Sequence, residues 1–379
     1  MDDRSAARDL LLALTATPTL SRAAVCRLAA ELDRWTGRDL PADPARRAAE
    51  LGVPPVQLAR ALAILPQAGT LARREEERTE RLGAHLLTRL DPGYPDLLHQ
   101  LALAPPVLYV KGHLPAGPAV AIVGSRRADA YGREVADLFS RALAEAGVAV
   151  VSGFARGVDA AAHRGALAAG GPTVAVLGCG LGVDYPQGHA ALGEEIAAQG
   201  ALVSEFPCGL PPRTWHFPVR NRIIAGLTAG TLVVQAAPRS GSLITARHAL
   251  DLGREVWAVP GRIFDERSLG PNALLRDGAS LAEHPRDVLE GLRLESPGPA
   301  VARAERAEPE VPVGRALPAG LAGQVLAALP EGPGGKNLAP EDVAARAGLR
   351  VDVVLGALLE LELEGWVKRH PGPAYGRLG

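Results

Sequence analysis

Four short stretches of the chain gather residues that can hold an anion. The first, Gly124-Ser125-Arg126-Arg127, offers a glycine for a tight turn, backbone N–H groups that can face a phosphate, and a serine and arginine to complete the contact. The second, Ser152-Gly153-Phe154-Ala155-Arg156-Gly157, precedes a helix opening at Val158-Asp159. The third, Ser240-Gly241-Ser242-Leu243-Ile244-Thr245, opens a helix running through Leu250. The fourth runs from Arg213 to Arg222 and contains Trp215, Phe217, Arg220 and Asn221. Aromatic residues make up only 4% of the chain, so two rings among three arginines are an uneven concentration of stacking and charge. Arginines that grip phosphates beside rings that stack bases are what a single-stranded nucleic acid site requires. The competing reading puts both rings in the core and the arginines on a solvated helix end.

Other constellations carry less. Gly178-Cys179-Gly180-Leu181-Gly182-Val183 resembles a dinucleotide fingerprint, with Glu205 where a ribose acceptor would sit. Its third glycine is missing at Val183, and Tyr185-Pro186 interrupts the helix that should follow, which argues against NAD. Asp159 and His163 share a helix face and are read as a helix-start carboxylate and a packed, hydrogen-bonded histidine. Neither a Walker GxxxxGK[ST] motif nor a GxSxG nucleophile elbow is present. Cys26, Cys179 and Cys208 lie far apart without metal-ligand spacing, so neither structural zinc nor a disulfide framework is expected. No cofactor and no catalytic residue is expected.

These stretches need a scaffold that brings them to one edge. From Pro118 to about Leu292 the chain alternates short apolar runs with Gly/Ser loops and helical patterns. The runs are Ala119 to Val123, Val148 to Val151, Thr173 to Leu177, Ala201 to Ser204, Thr231 to Val234 and Glu255 to Val259. Continuous apolar strands are buried on both faces, which predicts an α/β fold with an extended Rossmann-like parallel-sheet core over 86–292. Ligands of such sheets bind beyond the carboxyl ends of the strands, where the anion-holding loops fall. Residues 1–85 read as a small all-α domain, built on Leu10 to Leu14, Val25, Leu28, Val56, Leu58, Leu62 and Leu65. Residues 293–318 read as a Pro, Ala, Glu and Arg linker. Residues 319–379 read as three short helices and a hairpin, the pattern of a winged-helix module.

The length of 379 residues suits two or three folding units. With 47% hydrophobic and 22% charged residues the composition is globular, and a net charge of -1 gives no global field toward nucleic acid. Any anion site must therefore be local. Only Lys111, Lys336 and Lys368 among the 41 basic residues are lysine, so an arginine here is informative by its position alone. The start, Met1-Asp2-Asp3-Arg4, has no apolar segment behind basic residues, and no long apolar run follows, so a cytoplasmic protein without membrane contact is expected.

The succession VAIVGSR (120–126), Tyr131-Gly132, VVSGFARGVDAAAH (150–163), TVAVLGCGLGVDYP (173–186), VSEFP (203–207), FPVRNRIIAGL (217–227), SGSLITA (240–246), WAVPG (257–261) and Gly270-Pro271-Asn272 resembles the DNA-processing protein A family (DprA, also called Smf). The resemblance covers about half the chain and keeps the order of nine motifs. It implies a protein that binds single-stranded DNA and loads RecA recombinase onto it during natural transformation and recombination. It also implies a homodimer formed through the Rossmann core. Carried over by position, the binding surface comprises Ser125, Arg126, Phe217, Arg220, Asn221, Arg222, Ser240, Gly241, Ser242 and Thr245, coinciding with the loops chosen on chemistry. To these the loop chemistry adds Gly124, Ser152, Gly153, Arg156 and Arg213. The chain departs from the family pattern at Arg156, which adds a charge, at His189, where asparagine is usual, and at Gln235, where glutamate is common.

Two rival functions remain. One is a nucleotide-handling Rossmann enzyme similar to the lysine-decarboxylase-like phosphoribohydrolases, whose PGGxGTxxE loop carries a working glutamate. The comparable loop here, Arg239 to Thr245, has neither PGG nor glutamate. The other is a transcription factor using the winged-helix tail. The helix from Val351 to Glu364 bears Asp352, Glu360, Glu362 and Glu364 and no base-reading side chain after Arg350, so its charge opposes a duplex.

Overall fold

The computed structural model describes residues 3–30, 44–292, 318, 320–330, 338–364, 366–370 and 374–377. The chain divides into two compact units, Met1–Pro297 and Gly298–Gly379. The first is organised on a nine-stranded sheet. Strands β1 (Ala84–Thr88) and β2 (Val107–Gly112) lead in. The six expected runs follow as β3 (Ala119–Val123), β4 (Ala149–Ser152), β5 (Thr173–Val176), β6 (Ala201–Ser204), β7 (Gly230–Val233) and β8 (Glu255–Ala258), and a short β9 (Ser280–Leu281) closes the edge.

The spatial order is β1-β2-β6-β5-β4-β3-β7-β8-β9. From β6 through β9 every neighbouring pair is parallel. At the other edge the expected parallel sheet is corrected, because β2 runs antiparallel to β6 and β1 antiparallel to β2. The chain builds outward from β3 through β4, β5 and β6, then returns to place β7 on the opposite side of β3. The order therefore reverses between β3 and β7, the switch point at which such sheets bind ligands.

Thirteen α-helices of the first unit are described, besides a 3-10 turn at Leu65–Gln67: α1 (Asp3–Ala16), α2 (Arg22–Ala30), α3 (Pro44–Glu50), α4 (Pro55–Ile64), α5 (Ala68–Glu80), α6 (Asp96–His99), α7 (Ala130–Glu145), α8 (Val158–Ala168), α9 (Ala190–Gln199), α10 (His216–Gly226), α11 (Gly241–Asp251), α12 (Glu266–Arg276) and α13 (Pro285–Gly291). Strand alternation sorts them into layers. Val120 and Ile122 of β3 pack with Phe139 and Leu143 of α7, Val158 and Ala162 of α8 and Val288 of α13. Ala121 and Val123 pack instead with Ile223 and Ile224 of α10 and Ala246 and Ala249 of α11. Asp129 starts α7 by accepting the Gly132 N–H at 2.9 Å, which fixes the chain leaving β3. Leu11 and Leu12 of α1 and Ala72 of α5 cover Val107 and Tyr109 of β2, so helices from 1–85 shield the antiparallel edge.

The second unit holds α14 (Gly320–Ala328), α15 (Pro340–Ala347), α16 (Val351–Leu363) and the antiparallel pair β10 (Val367–His370) and β11 (Ala374–Arg377). Its core joins Val325, Leu326, Val343, Val354, Leu358, Leu361, Trp366 and Tyr375. Gly348 turns the chain between α15 and α16 at φ +67°, a left-handed conformation suited to glycine. The expected linker over 293–318 lies outside the described residues except for 318, as does the hairpin turn at Pro371-Gly372.

Candidate nucleic-acid interface

Two adjoining cavities open at the carboxyl ends of β3, β4, β5 and β7. One, of about 540 Å³, is lined by Arg126, Arg127, Phe154, Arg156, Tyr185 and Phe217 with the backbone of Gly153 and Gly178. The other, of about 590 Å³, lies at the switch point and is lined by Gly124, Ser125, Asp159, Asn221, Arg239, Ser240, Gly241, Ser242 and Thr245. Arg126, Arg127, Ala155, Tyr185, Phe217 and Arg220 line both. Each volume lies within the range of small-molecule sites.

Close backbone approach shapes these walls. A Cβ on Gly124 would stand 2.6 Å from Val158 Cγ2 and 2.9 Å from the Gln235 carbonyl oxygen, so only glycine lets the loop tuck between α8 and the end of β7. Gly157, at φ +84°, would carry its Cβ 2.2 Å from the Ser125 carbonyl oxygen, and the Val158 N–H donates to that same oxygen at 3.2 Å. Loops one and two are thereby pinned together. The third starts α11 with Ser240 as cap, and the Asn221 Nδ2 group donates to the Gly241 carbonyl at 3.0 Å, tying α10 to that helix start. Ser240, Gly241, Ser242 and Thr245 at the start of α11 line the second cavity, at the helix end that favours anions.

Phe217 sits in the first turn of α10, half-buried, with its ring 5.5 Å from that of Tyr185. The Arg126 guanidinium lies 5.0 Å from the Phe217 centroid. A Cβ on Gly178 would fall 2.6 Å from this ring, so the glycine makes room for it. Trp215 is exposed and packs edge-on against His216 at 4.2 Å. His216 is buried, stacks on Phe206 at 4.1 Å and contacts the Gly178 carbonyl at 3.1 Å through Nδ1.

Three of the expected binding residues are placed differently from the sequence reading. Ser152 is fully buried and donates to the Ile122 carbonyl at 2.6 Å, so it joins β4 to β3 and does not face an anion. Arg222 is 9% exposed and forms a two-pronged ion pair with Glu205, 2.7 Å on each prong, while also donating to the Leu103 and Val219 carbonyls. It holds α10 to the end of β6 and does not line the cavities. Arg213 is exposed but lines neither. Arg220 does line both, yet from beneath: only 4% exposed, its guanidinium donates to the Gly153 carbonyl at 2.8 Å and to that of Val176. Gly124, Ser125, Arg126, Gly153, Arg156, Phe217, Asn221, Ser240, Gly241, Ser242 and Thr245 are brought together.

Arg127 and Phe154 lie within the first two stretches but were not assigned to the binding surface, and Tyr185 and Arg239 were missed as lining residues. Extending the third stretch by one position would have found Arg239. Phe154 carries a left-handed backbone, φ +60°, rare for an aromatic residue, and its ring packs edge-on between His163 and His189.

The electrostatics of the floor follow from burial. Desolvation pushes the Asp159 carboxyl up to about 6, against the Arg220 charge and the Ala155 N–H, which favour ionisation. Burial likewise pulls the Arg220 guanidinium down to about 10, so it stays cationic at neutral pH. His163 is fully buried and is pulled down to about 3 by desolvation, so its imidazole is neutral. The Thr173 hydroxyl donates to the Val150 carbonyl, which leaves its oxygen to accept from His163 Nδ1–H at 2.7 Å. Asp159 and His163 thus have the supporting roles expected of them. The Gly178 to Gly182 stretch is packing as well: a Cβ on Gly180 would stand 1.9 Å from the Pro207 carbonyl, and the next helix starts only at Ala190. Among the described residues no cluster suited to a metal ion occurs, and no helix is long and apolar enough to cross a membrane.

Fold and site together define a Rossmann-like α/β protein with an arginine-rimmed carboxyl edge, joined to a winged-helix unit. Comparison with known proteins narrows this class. The family described as DNA recombination-mediator protein A matches residues 85–293, and the DprA winged helix domain matches residues 304–373. Protein Smf of Escherichia coli is 42% identical over 303 residues, spanning 77% of this chain and 77% of that protein. DNA processing protein DprA of Streptococcus pneumoniae is 44% identical over 202 residues, 53% of this chain and 71% of that one. The X-ray structure of the Streptococcus pneumoniae protein superposes with a TM-score of 0.63 at 32% identity, covering 76% of this chain and 98% of that chain. DNA processing protein A from Helicobacter pylori, described for its single-stranded DNA binding mode, superposes with a TM-score of 0.51 at 30% identity, covering 55% and 95%. The chain belongs to the DprA/Smf family, whose role is DNA processing as a recombination mediator.

Proposed function

We propose that this protein binds single-stranded DNA along the carboxyl edge of its sheet and loads RecA recombinase onto it, in natural transformation and recombination. The observation that carries the reading is the wall shared by the two cavities. Arg126 and Phe217 stand together there, one able to neutralise a phosphate and the other to stack a base, with the α11 start behind them. Binding makes and breaks no bond. A homodimer through the Rossmann core would place two such edges on one long strand.

The test is a titration of labelled single-stranded and duplex DNA of the same sequence across a salt series. Single-strand preference with log affinity falling linearly against log salt supports the reading; equal affinity for duplex refutes it. RecA filament assembly on protein-coated single strands, with and without this protein, tests the loading step. Sedimentation of the full chain tests the dimer. The rival nucleotide hydrolase predicts turnover of nucleoside monophosphates, and its loop from Arg239 to Thr245 supplies no glutamate for it.

A further inference from the structure

The winged-helix unit leaves one face of its third helix open. The inward residues of α16 are Val354, Ala357, Leu358 and Leu361, all buried, at the spacing of a helix that packs on one side. The same helix carries a second apolar row. Val351, Leu355 and Leu359 recur at i, i+4 and i+8 and are 37%, 46% and 57% exposed. Residues four apart lie one above another, so the three form a continuous strip. Scattered exposed leucines are ordinary, but three in register are not.

Gly356 lies beside this strip. A Cβ there would meet nothing within 4 Å, so the unit's own packing does not require glycine, which weakens a helix interior. What a missing side chain does provide is room for another backbone to come close to the strip.

Charge decides what that neighbour is. Residues 350–364 set one arginine against four carboxylates, Asp352, Glu360, Glu362 and Glu364, a net of −3. The arginine is already engaged, since Arg350 donates to Asp352 at 3.1 and 2.8 Å. A DNA groove would meet this helix with phosphates against carboxylates, and a second copy would bring two such charges of −3 together. An apolar row flanked by lysine or arginine fits both the strip and its margins. We propose that the outer face of α16 is a docking surface for a basic amphipathic helix of a partner protein. This stands apart from the single-stranded DNA site, which belongs to the other unit.

The probe is a labelled amphipathic helical peptide with leucines at i, i+4 and i+8 between arginines, compared with the same peptide carrying glutamates. Full-length protein should bind the basic peptide and not the acidic one. Leu355→Ser with Leu359→Ser should weaken binding by about tenfold or more, as for loss of central anchors. Gly356→Gln should weaken it too while leaving the melting temperature equal or slightly raised, whereas replacing a glycine required by the unit's own packing would lower it. Equal binding of both peptides, binding of neither, or unaltered binding by both variants overturns the proposal. So does loss of duplex DNA binding in the double variant, which would make α16 a groove reader, or loss of a concentration-dependent oligomer, which would make the partner a second copy.

Discussion

The rim and the floor of the same cavities use arginine in opposite ways. On the rim, Arg126, Arg127, Arg156 and Arg239 are exposed where a ligand can reach them, Arg156 while donating to the Gln187 carbonyl at 3.3 Å. On and below the floor, Arg220 and Arg222 are buried and committed to backbone carbonyls and to Glu205. Burying a guanidinium is unfavourable unless its donors are met, and here they are met by the ends of β4, β5 and β6. The floor arginines therefore set where the loops stand, and the rim arginines are the ones a phosphate can reach. Arg220 and Arg222, three and five positions after Phe217 in the FPVRNR stretch, are therefore not interchangeable with the arginines of the loops.

Removing Arg222 should give the largest effect. Arg222→Ala would leave Glu205, 2% exposed, as an uncompensated buried charge, which costs about 3–5 kcal/mol of stability. The expected result is a markedly lower melting temperature, with DNA affinity near normal for the folded fraction at low temperature. A normal melt with lost binding would move Arg222 to the rim and break the comparison.

Asp159 tests the floor by pH. Its carboxyl sits at about 6 when folded against an ordinary 3.8, so between these values the folded state keeps a proton that the unfolded chain has released. The stability this proton confers is present below the ordinary value and is lost as pH rises through about 6, up to about 3 kcal/mol in all. Asp159→Asn, neutral throughout, should therefore melt higher than the parent at pH 8 and close to it at pH 4. Equal differences at both would mean that Asp159 is not held in a desolvated site.

How much of this the sequence disclosed depends on what each feature's signal spans. Strands buried on both faces announce themselves as apolar runs, so Ala119–Val123 and Ala201–Ser204 are predicted to the residue and the ends of the other four within one. The strand β1 is an edge strand with a broken burial pattern and gives no run, and the antiparallel pairing of β2 with β6 joins segments about ninety residues apart. The four loops were legible because each follows a strand or opens a helix. The fate of the arginines in α10 was not, since every residue from Arg220 to Gly226 is buried and periodicity cannot sort a helix enclosed all round. Their partners, Glu205 and the carbonyls of Gly153 and Val176, come from other strands.

Phe217 lies between the two regions, its ring held by Gly178 and Tyr185 beneath and facing Arg126 above. Phe217→Ala should lower single-stranded DNA affinity by about 1–3 kcal/mol, with little change in salt dependence. A ring that served only the core would instead cost about 3–5 kcal/mol of stability. Melting temperature and affinity measured on one preparation separate the two: early melting with intact affinity at low temperature would assign Phe217 to the floor.

The smallest effect sharpens the comparison most. Arg126 is exposed, so Arg126→Ala should leave stability within about 0.5 kcal/mol. If it meets one phosphate, its loss lowers the slope of log affinity against log salt by ~0.7, the increment for a single strand. Arg126→Lys keeps the charge and should keep the slope, while giving up the planar face that lies over Phe217. Arg220→Ala is the paired control. Its guanidinium, occupied with the Gly153 and Val176 carbonyls, releases no counterion on binding, so the slope should hold while the fold weakens. Should Arg220→Ala flatten the slope as much as Arg126→Ala and still melt normally, the buried guanidinium must swing up to the strand when DNA arrives. Floor and rim would then be two positions of one binding face, and the division drawn between them would fail at that residue.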